Sequence, residues 1–121
     1  MPLYVCVCPD LAGSLSNRRK ARAAHLEMGQ RDRREGRIVF GRAYTDDTID
    51  PREDKVGSNA PDGLISPYTR GSTMIYRYPS IDLAWQRLRN DPYWLQDVWD
   101  REKVMLYELA PGPEDETLKM V

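Results

Sequence analysis

The segment Leu3-Tyr4-Val5-Cys6-Val7-Cys8 decides which folds are open to this chain. It is short, apolar and rich in residues that favour β structure, so it predicts a strand. Because neighbouring side chains of a strand point to opposite sides, residues 3, 5 and 7 share one face and residues 4, 6 and 8 share the other. Both sets are apolar, so a sheet that contains this strand needs cover on both faces.

The helices are indicated by periodicity and by capping residues. The clearest pattern follows Ser80, a good N-cap residue, after which apolar side chains recur at i, i+3, i+4 and i+7. These apolar residues are Ile81, Ala84, Trp85 and Leu88. A first helix is predicted over residues 14–35, with Ser14 or Ser16 as its N-cap and Gly36 in the position that ends it.

The remaining apolar segments predict three more strands. They are a strand opened by Ile38, Val39 and Phe40, a strand over Thr73–Tyr78 and a strand over Val104–Leu109. The order β-α-β-β-α-β is that of the α+β, ferredoxin-like fold, in which a four-stranded antiparallel sheet carries both helices on one face. The last strand is also apolar on both sides, so the second face of the sheet needs cover. We therefore expect a homodimer whose two sheets pack against each other as a dimeric α+β barrel.

A length of 121 residues fits one domain, predicted over residues 1–110 and followed by an acidic, proline-rich tail over residues 111–121. Residues 45–69 interrupt this domain with no periodicity, three prolines and two glycines. Loops of this length are usually functional or disordered. Two interpretations stay open: a lid over a pocket or an arm that reaches the partner subunit, and a mobile insertion that the fold tolerates.

Composition argues against several classes of partner and site. The 18 Lys and Arg residues nearly balance the 19 Asp and Glu residues, so the net charge of −1 gives no reason to expect nucleic acid as a partner. No apolar stretch is long enough to span a membrane, and the first residues do not resemble a secretory signal. Cys6 and Cys8 are expected to be small buried side chains, because a metal site needs more Cys or His than this chain has. Phosphate-loop, zinc-protease and serine-hydrolase motifs are missing. We therefore expect a cytoplasmic protein without nucleotide, zinc or serine-hydrolase chemistry.

His25, the sole histidine of the chain, is the first candidate for chemistry. Four residues at i, i+4, i+7 and i+11 form one stripe along the first helix: Arg18, Arg22, His25 and Gly29. The imidazole then lies at the border of an apolar face, one and two turns after two guanidinium groups. Such a histidine can act as a base beside cations that hold an anionic substrate. The alternative is a surface histidine on a basic helix.

Asp91 and Ser72 are further polar candidates. The motif Asp91-Pro92-Tyr93 is typical of a short helix in which Asp91 is the N-cap and proline is the first residue. Its carboxylate can also serve chemistry if a base lies within hydrogen-bond reach. Ser72 follows Gly71, which suits a turn into the third strand, and it either offers its hydroxyl to a ligand or is a serine at the edge of the sheet.

Several motifs, taken in order, resemble the YCII-related family of small dimeric α+β-barrel proteins. The resemblance runs from Leu3 to Leu109, and the segment 45–69 is its main departure from the compact bacterial pattern. The motifs are Arg22-Ala23-Ala24-His25-Leu26 on the first helix, Glu35-Gly36-Arg37 and Gly41 around the second strand, Gly71-Ser72-Thr73 before the third strand, and Asp91-Pro92-Tyr93 after the second helix.

The resemblance implies a ferredoxin-like fold that dimerises through its sheets, with a site built around His25 and Asp91. Arg22, Tyr93 and, more weakly, Ser72 come with it as pocket residues. Activities in the family and its wider superfamily include removal of chloride from a chlorinated hydroxyquinol, isomerisation of lactones and cyclisation of polyketides. They share proton transfer on small oxygenated rings without a metal or organic cofactor.

The resulting hypothesis is a cofactor-independent acid/base enzyme, a lyase or isomerase, that acts on a small oxygenated aromatic or polyketide-like substrate. His25 abstracts a proton, Asp91 orients the imidazole and stabilises its charged form, and Arg22 with Arg18 holds the anion that forms. Dehydrohalogenation, decarboxylation, isomerisation and cyclisation share this first step. The alternative is a non-catalytic homodimer that binds a small ligand or has an accessory role. Side chains of His25 and Asp91 within about 3.2 Å of each other, facing a cavity, favour the enzyme.

Overall fold

A computed structural model describes residues 1–48 and 65–119 of the chain. It contains four strands and three helices in the order β-α-β-β-α-α-β. They are β1 (Leu3–Pro9), α1 (Leu15–Arg34), β2 (Ile38–Thr45), β3 (Thr69–Arg77), α2 (Ile81–Arg89), α3 (Pro92–Leu95) and β4 (Met105–Glu108). The predicted elements are all present, and α3 is the short helix that the Asp-Pro motif predicts.

The strands form one antiparallel sheet in the order β2-β3-β1-β4. The central pair is β1 and β3, in a register that sets Cys6 opposite Met74. This is the topology of the predicted ferredoxin-like fold, so the α+β class and the four-stranded antiparallel sheet are confirmed.

The core lies between the sheet and the helices. The even-numbered face of β1 supplies Tyr4, Cys6 and Cys8, which are at most 1% exposed. They pack in one cluster with Leu88 of α2 and Trp99, which follows α3. Both cysteines are buried and free, as expected of small apolar side chains.

The opposite face of the sheet carries an apolar row that crosses all four strands. Strand register sets Phe40 opposite Ile75, Ile75 opposite Val5, and Val5 opposite Tyr107. Phe40 is 38% exposed and Tyr107 is 61% exposed. Both faces of the sheet are therefore apolar, as the sequence predicts. The homodimer that would cover this open sheet face stays a prediction.

The starts of α1 and β3 differ in part from expectation. Helix α1 begins after Ser14, but the Ser14 hydroxyl donates to the Val98 carbonyl at 2.9 Å and does not cap the helix. Strand β3 starts at Thr69 rather than residue 73, because ladder pairing with β2 extends the strand beyond its apolar part. The two ends of the predicted loop, residues 45 and 69, thus belong to strands. Whether the rest of this loop is a lid, an arm to the partner subunit or a tolerated insertion depends on residues 49–64, which lie outside the described part.

The other end of α1 follows the prediction. Gly36 comes directly after the C-cap residue Glu35 and has a φ of +71°, a left-handed conformation that glycine adopts without a Cβ penalty. Within residues 1–48 and 65–119, no helix combines the length and the apolar character that crossing a bilayer demands.

Candidate active site

The site centres on a contact between α1 and the turn before α3. The Nδ1 nitrogen of His25 lies 2.7 Å from Oδ1 of Asp91. The imidazole is 18% exposed and the carboxylate is fully buried. With Nδ1–H donating to the carboxylate, the lone pair on Nε2 is left as the basic position of the ring. The two residues predicted as a pair are therefore within hydrogen-bond reach.

Asp91 is held by three donors. Its Oδ1 also accepts the Tyr93 backbone N–H at 2.8 Å, as an N-cap does, and its Oδ2 accepts from Nη1 of Arg87 at 3.0 Å. Burial acts to raise the pKa of the Asp91 carboxyl, but the hydrogen bond and charge of His25, the charge of Arg87 and the Tyr93 N–H together lower it below the ordinary value. Asp91 is thus an ionised carboxylate behind the imidazole.

Two aromatic rings fix the plane of the imidazole. Tyr93 stacks on His25 with ring centroids 3.9 Å apart and 9° between the planes, and Trp99 meets the imidazole edge-on at 6.2 Å. Burial raises the pKa of Tyr93 to about 12, against the opposing charges of Arg18 and Arg22. Tyr93 therefore remains a neutral phenol that stacks on the imidazole.

Arg18 is held in place by a buried ion pair. Its Nε and Nη2 donate to the two oxygens of Asp10 at 2.9 and 2.8 Å, and Nη2 also donates to Ser72 Oγ at 2.8 Å. Its guanidinium lies 4.6 Å from the Tyr93 ring centroid. Arg18 is therefore a preorganised cation whose charge is partly offset by Asp10, which the stripe pattern did not predict.

Ser72 lies deeper in the fold than one of its two interpretations assumed. Its Oγ accepts from Arg18 and, at 3.1 Å, from the indole Nε1 of Trp99. The interpretation as an edge serine is wrong, because β3 lies between β2 and β1. Gly71 is also misassigned as a turn residue, since it lies inside β3, where an added Cβ would be 2.5 Å from the Cys8 carbonyl oxygen.

A cavity of about 500 Å³ opens between α1 and the strands β2 and β3. His25 and the predicted pocket residues Arg18, Arg22, Ser72 and Tyr93 all line it. The described lining also includes three further arginines and several apolar side chains: Arg33, Arg42, Arg87, Leu26, Ile38, Ile65, Met74 and Tyr76. Within the described part of the wall there is no carboxylate, so the cavity suits a small anionic or phenolic ligand with an apolar ring.

Sequence reasoning missed Asp10, Asp32 and Arg87. Arg87 ion-pairs with Asp32 at 2.6 Å as well as with Asp91. The positions of Asp32 and Arg87 carried a usable signal: Asp32 is seven residues after His25 on the same helix, and Arg87 is four residues before Asp91. Helical spacing thus places each of them on the face of a site residue.

Comparison with known proteins gives a matching family and a solved structure with the same fold. The model of the YCII-related domain matches residues 2–108. The structure is 5-chloro-2-hydroxyhydroquinone dehydrochlorinase from Burkholderia phenoliruptrix, solved in complex with 2,5-dihydroxybenzoquinone. It is 21% identical, with a TM-score of 0.67 over 91% of this chain and 95% of that chain. At that identity the likeness establishes a shared fold.

A second solved structure is a protein from Agrobacterium tumefaciens. It is 14% identical over 100% of both chains, with a TM-score of 0.47 that is too low to establish a shared fold. No curated protein matches the chain.

Proposed function

Since the chain belongs to the YCII-related domain family, we propose that it is a lyase-type enzyme that removes a proton from a small oxygenated aromatic or polyketide-like substrate. The observation that carries the proposal is that His25, on the wall of a cavity rich in arginine, contacts the buried Asp91 behind it at 2.7 Å. A buried, ionised carboxylate behind an imidazole stabilises the imidazolium that proton abstraction creates.

The first step is a proton transfer to Nε2 of His25. A C–H or O–H bond of the substrate breaks, the proton goes to Nε2, and the electron pair stays on the substrate as an enolate or phenolate. Arg22, supported by the paired guanidinium of Arg18, stabilises that negative charge. In an elimination, the electron pair then forms a double bond as a leaving group such as chloride departs with its own pair. Decarboxylation, isomerisation and ring closure differ only after this point.

The donor set of the cavity favours chemistry without a metal ion. The described lining supplies one imidazole and no carboxylate or thiol, so a metal ion would find a single strong ligand there. We therefore assign the electrophilic role to arginine and propose that the enzyme is cofactor-independent.

The substrate of the dehydrochlorinase, 5-chloro-2-hydroxyhydroquinone, is a rational first substrate. We expect chloride release with a rate that falls at least 100-fold in His25→Asn. Glu27→Gln is the matched control, because Glu27 is an exposed residue on the same helix outside the cavity lining. Full turnover by His25→Asn would refute the base assignment. If the chain binds 2,5-dihydroxybenzoquinone but turns over no compound of this class, the non-catalytic ligand-binding homodimer becomes the better description.

We also propose that the enzyme is a homodimer joined through its open sheet face. The row that contains Val5 and Tyr107 leaves large apolar side chains in contact with water in the single chain. A second copy with the same face covers them by two-fold symmetry.

A further inference from the structure

Behind the imidazole, three buried charged groups form a chain of ion pairs. Nη1 of Arg87 donates to Oδ2 of Asp91 at 3.0 Å, and Nε of Arg87 donates to Oδ2 of Asp32 at 2.7 Å. Asp32, Arg87 and Asp91 are 2%, 7% and 0% exposed. Since water screens none of them effectively, their charges act strongly on one another and on His25.

The charges of the three ion-paired side chains do not cancel. Asp32 and Asp91 contribute two negative charges and Arg87 one positive charge, so a neutral imidazole faces a group with a net charge of −1. If Asp32 were absent, Arg87 would neutralise Asp91 and a protonated imidazole would meet no net countercharge. With Asp32 present, a proton on His25 brings the whole group to neutrality.

The other titratable side chains that face Asp91 do not alter this balance. They come from three elements: Cys8 of β1, Tyr76 of β3 and Tyr93 of α3. Burial raises the pKa of each of them, so each is uncharged at neutral pH. The charges of Arg18 and Arg22 act on the neighbouring Tyr93, Arg18 is paired with Asp10, and Arg33 and Arg42 line the same cavity as His25.

We propose that Arg87 and Asp32 are positioning residues of the active site: Arg87 fixes the Asp91 carboxylate, and Asp32 offsets the charge of Arg87 so that Asp91 remains a full countercharge for His25. Asp32 touches neither Asp91 nor His25 in any hydrogen bond of the described structure, and it acts on them through Arg87. The role in the reaction rests on the proposed function, whereas the electrostatic effect on His25 does not.

The sole histidine makes this inference testable without a substrate, because the protein gives one imidazole signal by NMR. The quantity measured is the pH at which that signal is half shifted. We expect Asp32→Asn to lower this pH, because the group behind His25 becomes neutral. Arg87→Gln should raise it, because two negative charges then remain. The double variant Asp32→Asn/Arg87→Gln restores the net charge of −1 and should return the midpoint close to that of the unaltered chain.

Arg77→Gln is the matched control for loss of a buried arginine. Arg77 is 8% exposed and donates to the backbone carbonyls of Gly36, Asp115 and Leu118, outside the described cavity lining. Its substitution should lower resistance to urea and leave the imidazole midpoint unchanged. If Arg87→Gln does not fold, Arg87→Lys preserves the charge and should leave the imidazole midpoint unchanged. The direction of the midpoint shift in Asp32→Asn then tests the inference by itself.

Shifts of the same sign in Asp32→Asn and Arg87→Gln, or no shift in Asp32→Asn, overturn the inference. Failure of the proposed function gives a different result. In that case His25→Asn keeps its turnover, while Asp32→Asn and Arg87→Gln still shift the imidazole midpoint in opposite directions. The electrostatic effect on His25 is then real but has no catalytic role. If turnover depends on His25 but the midpoints do not move, the positioning role fails and the proposed function stands.

Discussion

The imidazole of His25 lies parallel to the phenol ring of Tyr93, with the ring centroids 3.9 Å apart and 9° between the planes. Tyr93 also donates its backbone N–H to the same carboxylate oxygen that His25 contacts. Tyr93 therefore sets both the plane of the imidazole and the position of the Asp91 carboxylate. Stacked aromatic pairs of this kind contribute beyond their buried area, so the stack restricts the imidazole.

Removal of the Tyr93 ring should cost activity through loss of orientation. Tyr93→Leu keeps an apolar side chain but abolishes the stack, and we expect kcat to fall about tenfold or more as the base loses its orientation. Tyr93→Phe keeps the stack and should retain most of kcat. Steady-state chloride release distinguishes them, and equal activity of the two variants would show that the stack has no role in turnover.

Asp91 should make the free energy of unfolding depend on pH in the acid range. Its pKa is below the ordinary value of 3.8: burial acts to raise it, but the contacts with His25 and Arg87 outweigh that effect. A carboxyl with a lowered pKa in the folded state stabilises the protein above its ordinary pKa and loses this contribution as the pH falls through the folded-state pKa. The free energy of unfolding of the unaltered chain should therefore fall more steeply below about pH 4 than that of Asp91→Asn.

Urea unfolding between pH 3 and pH 7 measures this difference. At neutral pH, Asp91→Asn should be less stable by about 1–3 kcal/mol, because the buried donors of His25, Arg87 and the Tyr93 backbone lose a charged acceptor. Parallel stability curves for the two proteins would contradict the assignment of Asp91 as a buried, ionised carboxylate.

Ser72→Ala should destabilise the fold and disturb the position of Arg18. The substitution leaves the buried Nε1–H of Trp99 without its acceptor and removes one of the contacts of Arg18. We expect a loss of about 1–3 kcal/mol in the free energy of unfolding, the usual cost of an unsatisfied buried donor. Thr73→Ala, one position along the same strand with a half-buried hydroxyl bonded to the Cys6 carbonyl, is the control and should cost less.

Gly71→Ala should destabilise the fold, although glycine to alanine is a small change within a strand. An added Cβ would lie 2.5 Å from the carbonyl oxygen of Cys8 and even closer to the Tyr44 hydroxyl. Because the Cys8 contact is with backbone of the adjacent strand, β1 and β3 would have to separate, and we expect a loss of about 2 kcal/mol in urea unfolding. Gly29→Ala is the control, since nothing lies near its Cβ position. Equal stability of Gly71→Ala and the unaltered chain would disprove the close approach.

Charge on the open sheet face should dissociate the proposed homodimer. Val5→Lys and Tyr107→Lys place an ammonium group in the apolar row, where burial against a second copy would be costly. Leu95→Lys is the control, because Leu95 is 59% exposed on α3, away from the sheet. Sedimentation velocity should show a dimer for the unaltered chain and for Leu95→Lys, and a monomer for the two sheet variants. A monomer in all four proteins would refute the dimer.

Local patterns of the sequence determined the fold class, the order of the elements and the ends of several of them. Alternation along Leu3–Cys8, the periodicity after Ser80, Gly36 at the end of α1 and the Asp-Pro start of α3 all act within a few residues, so they can be recognised without a structure. The same local reasoning selected His25 and Asp91 as candidates. It failed for the start of β3, where hydrogen bonding to β2 extends the strand beyond its apolar part.

Only the tertiary structure decided which charges meet. His25 and Asp91 are 66 positions apart, and Arg87 lies 55 positions from Asp32, yet each pair is in contact in the fold. An ion pair depends on distance and burial, and neither can be obtained from the spacing of residues on separate elements. The same is true of Arg18, whose charge is partly offset by Asp10, and of Ser72, which lies on an inner strand. Spacing along the sequence thus made His25 and Asp91 candidates and the family resemblance paired them, while packing of the helices on the sheet created the buried charges behind them.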